Sequence, residues 1–312
     1  MTDEHAFHGT DAPAPLATDE VAALRARSRD PTASADNQFV LQCMDIWSGN
    51  RSVENEVSTP GMEIFLSSQP YRGESRGGDV HYVSLCAGGV VTRLILADVS
   101  GHGEAVAGVS QALRSLMRRF MNSKSQASLI RDLNREFTQL AQAGRFATAI
   151  VATYLSHRNR FMICNAGHPR PLWYCRASGS WSFVNHELIE SGRATNLPLG
   201  FDESTEYQQF ELQVGDGDVF VLYTDGLTEA RREDETLLGE AGLLGVVSGI
   251  ATDDTRAFGH ALLQRLRDFS GSRPNDDDVT LLVLKFVAAR RRMPGVREKL
   301  NAYAKLLGLK AV

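Results

Sequence analysis

The chain has few cysteines, no long apolar run and no surplus of positive charge, and each shortage removes a class of function. Its 33 basic residues are outnumbered by 38 acidic ones, for a net charge of −5. That balance offers no basic surface to a polyanion, so neither nucleic acid nor membrane is expected as a partner. No apolar stretch approaches the ~20 residues a membrane helix requires. The N-terminus opens with Asp3, Glu4 and His5, where a secretory leader would carry basic and then apolar residues. Cys43, Cys86, Cys164 and Cys175 contain no Cys-x-x-Cys spacing. At least Cys86 and Cys164 lie in strand-like apolar runs, so the cysteines read as reduced core thiols and a cytoplasmic location is expected. What remains is 312 residues, 43% hydrophobic and 23% charged. This is the composition of a soluble globular protein with one large domain plus extensions, or two small domains.

The sequence is organised around 94–103, Leu-Ile-Leu-Ala-Asp-Val-Ser-Gly-His-Gly. Leu94, Ile95, Leu96 and Ala97 form a continuous apolar run, as in a strand buried on both faces, and Asp98 stands where the run ends. An ionised group taken off water without a counter-charge costs several kcal/mol. Asp98 should therefore meet a cation, a metal, or donors from the Gly101 and Gly103 turn, with capping of the following helix an equal alternative on this stretch alone. The arrangement recurs. The apolar strand 219–224 ends in Asp225-Gly226, and Asn275-Asp276-Asp277-Asp278 abuts a final strand over 279–286. Adjacent aspartates repel one another, and either solvation or a cation relieves them. Asp79 follows Gly77-Gly78 at the foot of a strand over 80–86, whose hairpin partner 90–97 lies across Gly88-Gly89. Such pairing sets Asp79 and Asp98 at the same end of one sheet.

Three regions follow. Residues 1–58, rich in Ala, Asp, Thr, Ser and Pro, read as an extension whose first half is mobile. Within it, Phe39, Val40, Leu41, Met44, Ile46 and Trp47 carry enough apolar surface to dock on a domain or a partner. The domain proper is expected over 59–287. It has strands at 62–67, 80–86, 90–97, 146–155, 160–165, 171–175, near 207–212, 219–224 and 279–286. Val106, Val109, Leu113, Leu116 and Phe120 mark one amphipathic helix, and Ile130, Leu133, Phe137 and Leu140 mark the next, both stripes reading as core. Two more helices are expected at 240–250 and 254–269. In the loop Asn165-Ala166-Gly167-His168-Pro169, His168 reads as a structural hydrogen-bonder before a substrate donor. Leu197-Pro198-Leu199-Gly200 reads as a hinge. Residues 288–312 form a basic tail with Leu300, Tyr303 and Leu307 on a helical stripe.

Taken in order, Gly77-Gly78-Asp79, Ala97-Asp98-Val99-Ser100-Gly101-His102-Gly103, Asn165 to Pro169, Leu197 to Gly200, Thr224-Asp225-Gly226 and Asp277-Asp278-Val279-Thr280 resemble the metal-dependent serine/threonine phosphatases of the protein phosphatase 2C type. Within them the chain is most similar to the bacterial stage II sporulation protein E branch. The resemblance spans roughly 60–287 and implies an α+β fold, a four-layer αββα sandwich of two antiparallel sheets flanked by helices. It implies a metal site of Asp79, Asp98, Asp225 and Asp277, with the Val99 backbone carbonyl as a further oxygen, and Asp278 beside it holding metal-bound water. Such an oxygen-only set suits Mn²⁺ or Mg²⁺, two ions per site, over zinc.

The implied activity is hydrolysis of phosphoserine or phosphothreonine on a bacterial signalling protein such as an anti-sigma-factor antagonist, by a metal-activated water. A catalytically silent phosphoprotein-binding scaffold and a di-metal phosphatase of small phosphate esters are the alternatives. Two positions depart from the eukaryotic pattern. His102 lies four residues after Asp98 where those members place the candidate general acid two residues after. The upstream phosphate-holding arginine has only Arg72 and Arg76 as neighbours, with Arg76 the candidate. The resemblance further implies switching by a regulatory partner or a flanking segment that moves the 197–200 joint, and a flank that docks on the switch helices or mediates self-association as a homodimer is expected.

Overall fold

The computed structural model describes residues 38–41, 45–86, 89–101, 104–120, 123, 125–140, 144–184, 195–271 and 273–288. Two sheets form the centre. The first takes β1 (Gln38–Val40), β3 (Val53–Thr59), β4 (Met62–Gln69), β9 (Leu172–Cys175), β10 (Ser180–Phe183), β12 (Val219–Tyr223) and β13 (Val279–Phe286), in the order β1-β3-β4-β13-β12-β9-β10. The second takes β2 (Ile46–Gly49), β5 (Val80–Cys86), β6 (Val91–Val99), β7 (Ala147–Leu155), β8 (Arg160–Ala166) and β11 (Gln209–Gln213), in the order β11-β8-β7-β6-β5-β2. Every pairing is antiparallel except β1 with β3. Helices α1 (Glu104–Phe120) and α2 (Gln126–Leu140) cover the second sheet, and α3 (Gly239–Ser248) and α4 (Thr255–Ser270) cover the first.

Strand periodicity divides the apolar residues among three cores. Along β6, Leu94 and Leu96 face the first sheet while Ile95, Ala97 and Val99 pack under Leu113, Met117, Leu133 and Phe137 of α1 and α2. Along β12, Phe220 and Leu222 face the second sheet while Val221 and Tyr223 pack under Leu243 of α3 and Phe258 and Leu262 of α4. The expected four layers are therefore present, and both helical stripes are core. The helix α4 lies so close to β4 that a Cβ on Gly259 would stand 2.2 Å from the Phe65 ring.

The expected extension over 1–58 ends earlier than the sequence suggests. Residues 38–58 supply β1, β2 and most of β3, and Phe39, Leu41, Trp47 and Val57 pack into the core between the sheets. Polar residues disguised β3. Glu54 and Glu56 turn away from that core to meet His260 and Arg256 of α4 at 2.8 and 2.9 Å, which gives the strand an acidic face with a helix against it. The expected hinge at 197–200 is fastened. Leu199 and Ala147 exchange both backbone hydrogen bonds, at 2.9 and 2.7 Å, and the Gly200 amide donates to Asn134 Oδ1 of α2 at 2.8 Å. Residues 1–37 and the tail beyond residue 288 lie outside the described residues. Among the described residues the three cysteines are free, and burial pushes the Cys164 thiol up to about 12.

Candidate active site

The acids meet at one end of the space between the sheets, and strand parity puts them there. Asp98 is the penultimate residue of β6, on the same face as Leu94 and Leu96, so it points between the sheets. It precedes the first residue of α1 by six positions, which rules out capping of that helix. The register Val80↔Ala97 sets Asp79 across from Asp98. From the other sheet, Thr224 follows β12 and Asp278 precedes β13, each in phase with the residues that face the second sheet.

The two sheets are joined directly at this point. Thr224 Oγ1 donates to Asp79 Oδ2 at 2.8 Å and accepts the Thr280 amide at 2.9 Å. Thr280 Oγ1 in turn shares a 2.9 Å hydrogen bond with Ser68 Oγ. Asp278, fully inside, spends both carboxylate oxygens on backbone amides, Oδ1 on Tyr71 and Oδ2 on Gly78, each at 2.6 Å. Its own amide donates to Asp277 Oδ1 at 2.7 Å. Glycine is required around it. A Cβ on Gly77 would stand 2.5 Å from Asp278 Oδ1, one on Gly226 would stand 2.1 Å from the Asp278 carbonyl, and one on Gly78 would stand 2.9 Å from the Val99 carbonyl. Asp278 is thus an anchor for the 71–78 loop, with one backbone amide on each carboxylate oxygen and a second acceptor site left on each. Neither its anchoring nor the threonine bridge was visible in the sequence, where three consecutive aspartates look alike.

Burial and mutual repulsion perturb the carboxyls of the cluster. Burial, then the neighbouring Asp98, holds the Asp79 carboxyl well above its ordinary range. Burial, then Asp225, Asp277, Asp278 and Glu229, pushes Asp98 up to about 8. Burial, then Asp277 and Glu229, pushes Asp225 up to about 6. Asp79 Oδ1 is buried with no hydrogen-bond partner. Carboxylates crowded off water in this way suit a hard divalent cation in charge and in donor chemistry. The fit stops short of a preformed cage, since among the described residues no three His, Cys, Asp or Glu side chains already close on one point. Glu229, which the sequence reading did not single out, emerges only through its effect on Asp98 and Asp225.

The other candidates separate. His102 lies outside the described residues. Arg76 lines an open cleft with Arg51, Ser75 and Ala107 and reaches Gln111 of α1 at 3.4 Å. His168 is buried behind Asp98. Its Nδ1 meets the hydroxyl of Thr148, the residue paired with Asp98, at 2.8 Å, its amide donates to Asn165 Oδ1 at 2.7 Å, and burial pulls its pKa down to about 3. A neutral, fully enclosed ring is a structural fastener. Gly167, at φ 66°, lets this loop pack on Pro198, which a Cβ would approach to 2.6 Å.

Known proteins share this architecture. The chain is 28% identical over 145 residues to the phosphoserine phosphatase RsbU of Bacillus subtilis (strain 168), a match covering 45% of this chain and 40% of that protein. The chain thus spans less than half the length of this curated relative. The RsbU and RsbW domains of Rv1364c from Mycobacterium tuberculosis superpose with a TM-score of 0.61 at 25% identity, covering 76% of this chain and 63% of that one. The PP2C phosphatase domain, with a fragment of the regulatory domain, of the cell fate determinant SpoIIE from Bacillus subtilis superposes with a TM-score of 0.58 at 16% identity, covering 79% and 64%. These neighbours give the two-sheet, helix-flanked arrangement its name, the PP2C phosphatase fold. The family model described as stage II sporulation protein E (SpoIIE) matches residues 89–287. Because that match takes in more than half of the sequence, from the turn before β6 to the end of β13, the chain belongs to the stage II sporulation protein E family.

Proposed function

We propose that this protein is a Mn²⁺- or Mg²⁺-dependent phosphoprotein phosphatase that removes phosphate from serine or threonine on a bacterial signalling protein, an anti-sigma-factor antagonist or a similar cytoplasmic regulator. The observation that carries the proposal is the oxygen-only acid cluster at the joined ends of the two sheets, with Asp79 buried, Asp98 and Asp225 half-buried, and Asp277 beside them. Crowded carboxylates at raised pKa gain most from a divalent cation.

Asp79, Asp98, Asp225 and Asp277 would hold the metal, with the Val99 carbonyl beside Gly78 as a neutral oxygen. When bound, a pair of such ions supplies Lewis acidity toward the phosphoryl oxygens and a hydroxide-like water for in-line attack. The chain's own part is positioning. Thr224 holds one oxygen of Asp79 and leaves the other free. Asp278 keeps the 71–78 loop against the site, and the Gly77-Gly78 pair lets backbone stand where a side chain would block access. The test is phosphate release from a phosphoserine peptide and from p-nitrophenyl phosphate, with and without Mn²⁺. Metal-dependent turnover of the peptide supports the reading. Turnover of the small ester alone would replace it with a small-molecule phosphatase, and metal binding without any turnover would replace it with a phosphoprotein-binding scaffold.

A further inference from the structure

Two arginines on the loops next to the acid cluster share one open cleft. Arg51 and Arg76 line one open cleft of about 460 Å³ with Ser75 and Ala107, and among the described residues neither reaches a carboxylate. Among the described residues Arg76 makes a long 3.4 Å contact to Gln111. This occurs in a chain with more acids than bases. The pairing of the two arginines is built into the backbone. The Gly77 amide donates to the Asn50 carbonyl at 2.9 Å and Asn50 Nδ2 donates to the Gly77 carbonyl at 3.3 Å, with Asn50 itself buried. The turn between β2 and β3 is thereby fixed to the loop that ends in Asp79, and the residue after Asn50 is set beside the residue before Gly77. Two guanidinium groups held in one cleft repel each other until an anion lies between them, and their planar donor forks match a carboxylate.

We propose that Arg51 and Arg76 form a specificity subsite that receives an acidic side chain of the substrate protein, next to the phosphoserine being hydrolysed. The subsite rests on the phosphatase reading for its place in catalysis, but not for its binding chemistry. Sequence position supports the geometry. Arg76 is three residues from Asp79, and Ala107 and Gln111 belong to the first turns of α1, whose Ser110 hydroxyl donates to the Gly78 carbonyl at 3.1 Å. A peptide whose phosphoryl group lies at the carboxylates would carry its neighbouring residues across this cleft. Arg51 touches none of the acid cluster, so it tunes which protein is accepted without acting on the reacting atoms.

The experiment uses the full chain and its Arg51→Glu and Arg51→Lys variants. Binding is read first, by fluorescence anisotropy of labelled unphosphorylated peptides with Asp, Ala or Lys flanking the serine. Wild type should prefer the acidic peptide, Arg51→Lys should keep part of that preference, and Arg51→Glu should weaken it by roughly 3- to 10-fold and favour the Lys peptide. The preference should fade as salt rises. Turnover is read second. Arg51→Glu should raise KM for the acidic phosphopeptide by a similar factor with kcat unchanged, and leave p-nitrophenyl phosphate hydrolysis as in wild type. Equal binding of all three peptides by wild type overturns the proposal. So does an equal loss on p-nitrophenyl phosphate, which would assign the cleft to the phosphoryl group itself. If no substrate is turned over yet Arg51→Glu still reverses the peptide preference, the subsite stands and the phosphatase reading falls.

Discussion

At the scale of single residues, the acids of the site trade stability for charge. The folded-state pKa of Asp98, about 8, lies above its ordinary value, so the protonated form is the one the fold favours. Its contribution is present below about pH 4 and is lost as pH rises through 8. Asp98→Asn should therefore raise the metal-free melting midpoint at pH 8, by ~1–3 kcal/mol in stability, gain much less at pH 4, and abolish metal-dependent phosphate release. Calorimetry in chelator at both pH values checks the first part, and the phosphopeptide assay checks the second. His168 behaves in the opposite sense. Its pKa is depressed to about 3, so its contribution is present above pH 6.5 and is lost as pH falls toward 3. The stability difference between wild type and His168→Asn, measured by urea unfolding, should shrink by about 1.4 kcal/mol for each pH unit below 6.5. The sequence showed which residues were acidic and where strands ended. It could not show that Asp278 is anchored by two backbone amides while Asp79 keeps a bare oxygen, because that difference arises only when two sheets meet.

At the scale of elements, legibility followed local periodicity. The stripes of α1 and α2 and the apolar runs of β6, β12 and β13 announce themselves because one face or both faces are buried. The strand β3 does not, since Glu54 and Glu56 are matched by His260 and Arg256 from a helix two hundred residues later in the chain. Nor does β10, four residues alternating Ser and aromatic at the sheet's edge. The Asp-Gly junction after β12 is legible as a motif, but its reason is tertiary: the backbone there passes against the Asp278 carbonyl. Gly226→Ala, which would put a Cβ 2.1 Å from that oxygen, should force the turn away from β13. It should cost more than ~2 kcal/mol in urea unfolding and disturb the site even where the protein still folds. An alanine tolerated without loss would mean that the turn and β13 are not locked together.

At the scale of the whole molecule, early and late strands of the described chain are built into both sheets. β13 pairs with β4 over eight residues in the first sheet, and β4 is flanked on its other side by β3. β2 forms the edge of the second sheet beside β5. Removing residues 1–58 would therefore do more than trim a flank. It would strip β4 of its partner along six of seven paired positions, bare β5, and take Trp47 and Val57 from the core between the sheets. Each buried large apolar side chain lost is worth ~1.5–3 kcal/mol, against a total stability of ~5–15 kcal/mol for a domain. The expected outcome is a chain that aggregates or lacks a cooperative urea transition, while a chain beginning at residue 36 retains every described strand and unfolds in one step. Circular dichroism through a urea titration of both truncations reads this directly. If the shorter chain, lacking 1–58, unfolds cooperatively with the midpoint of the longer one, β1 to β3 are an appendage after all and the pairing of β3 with β4 contributes nothing to the fold.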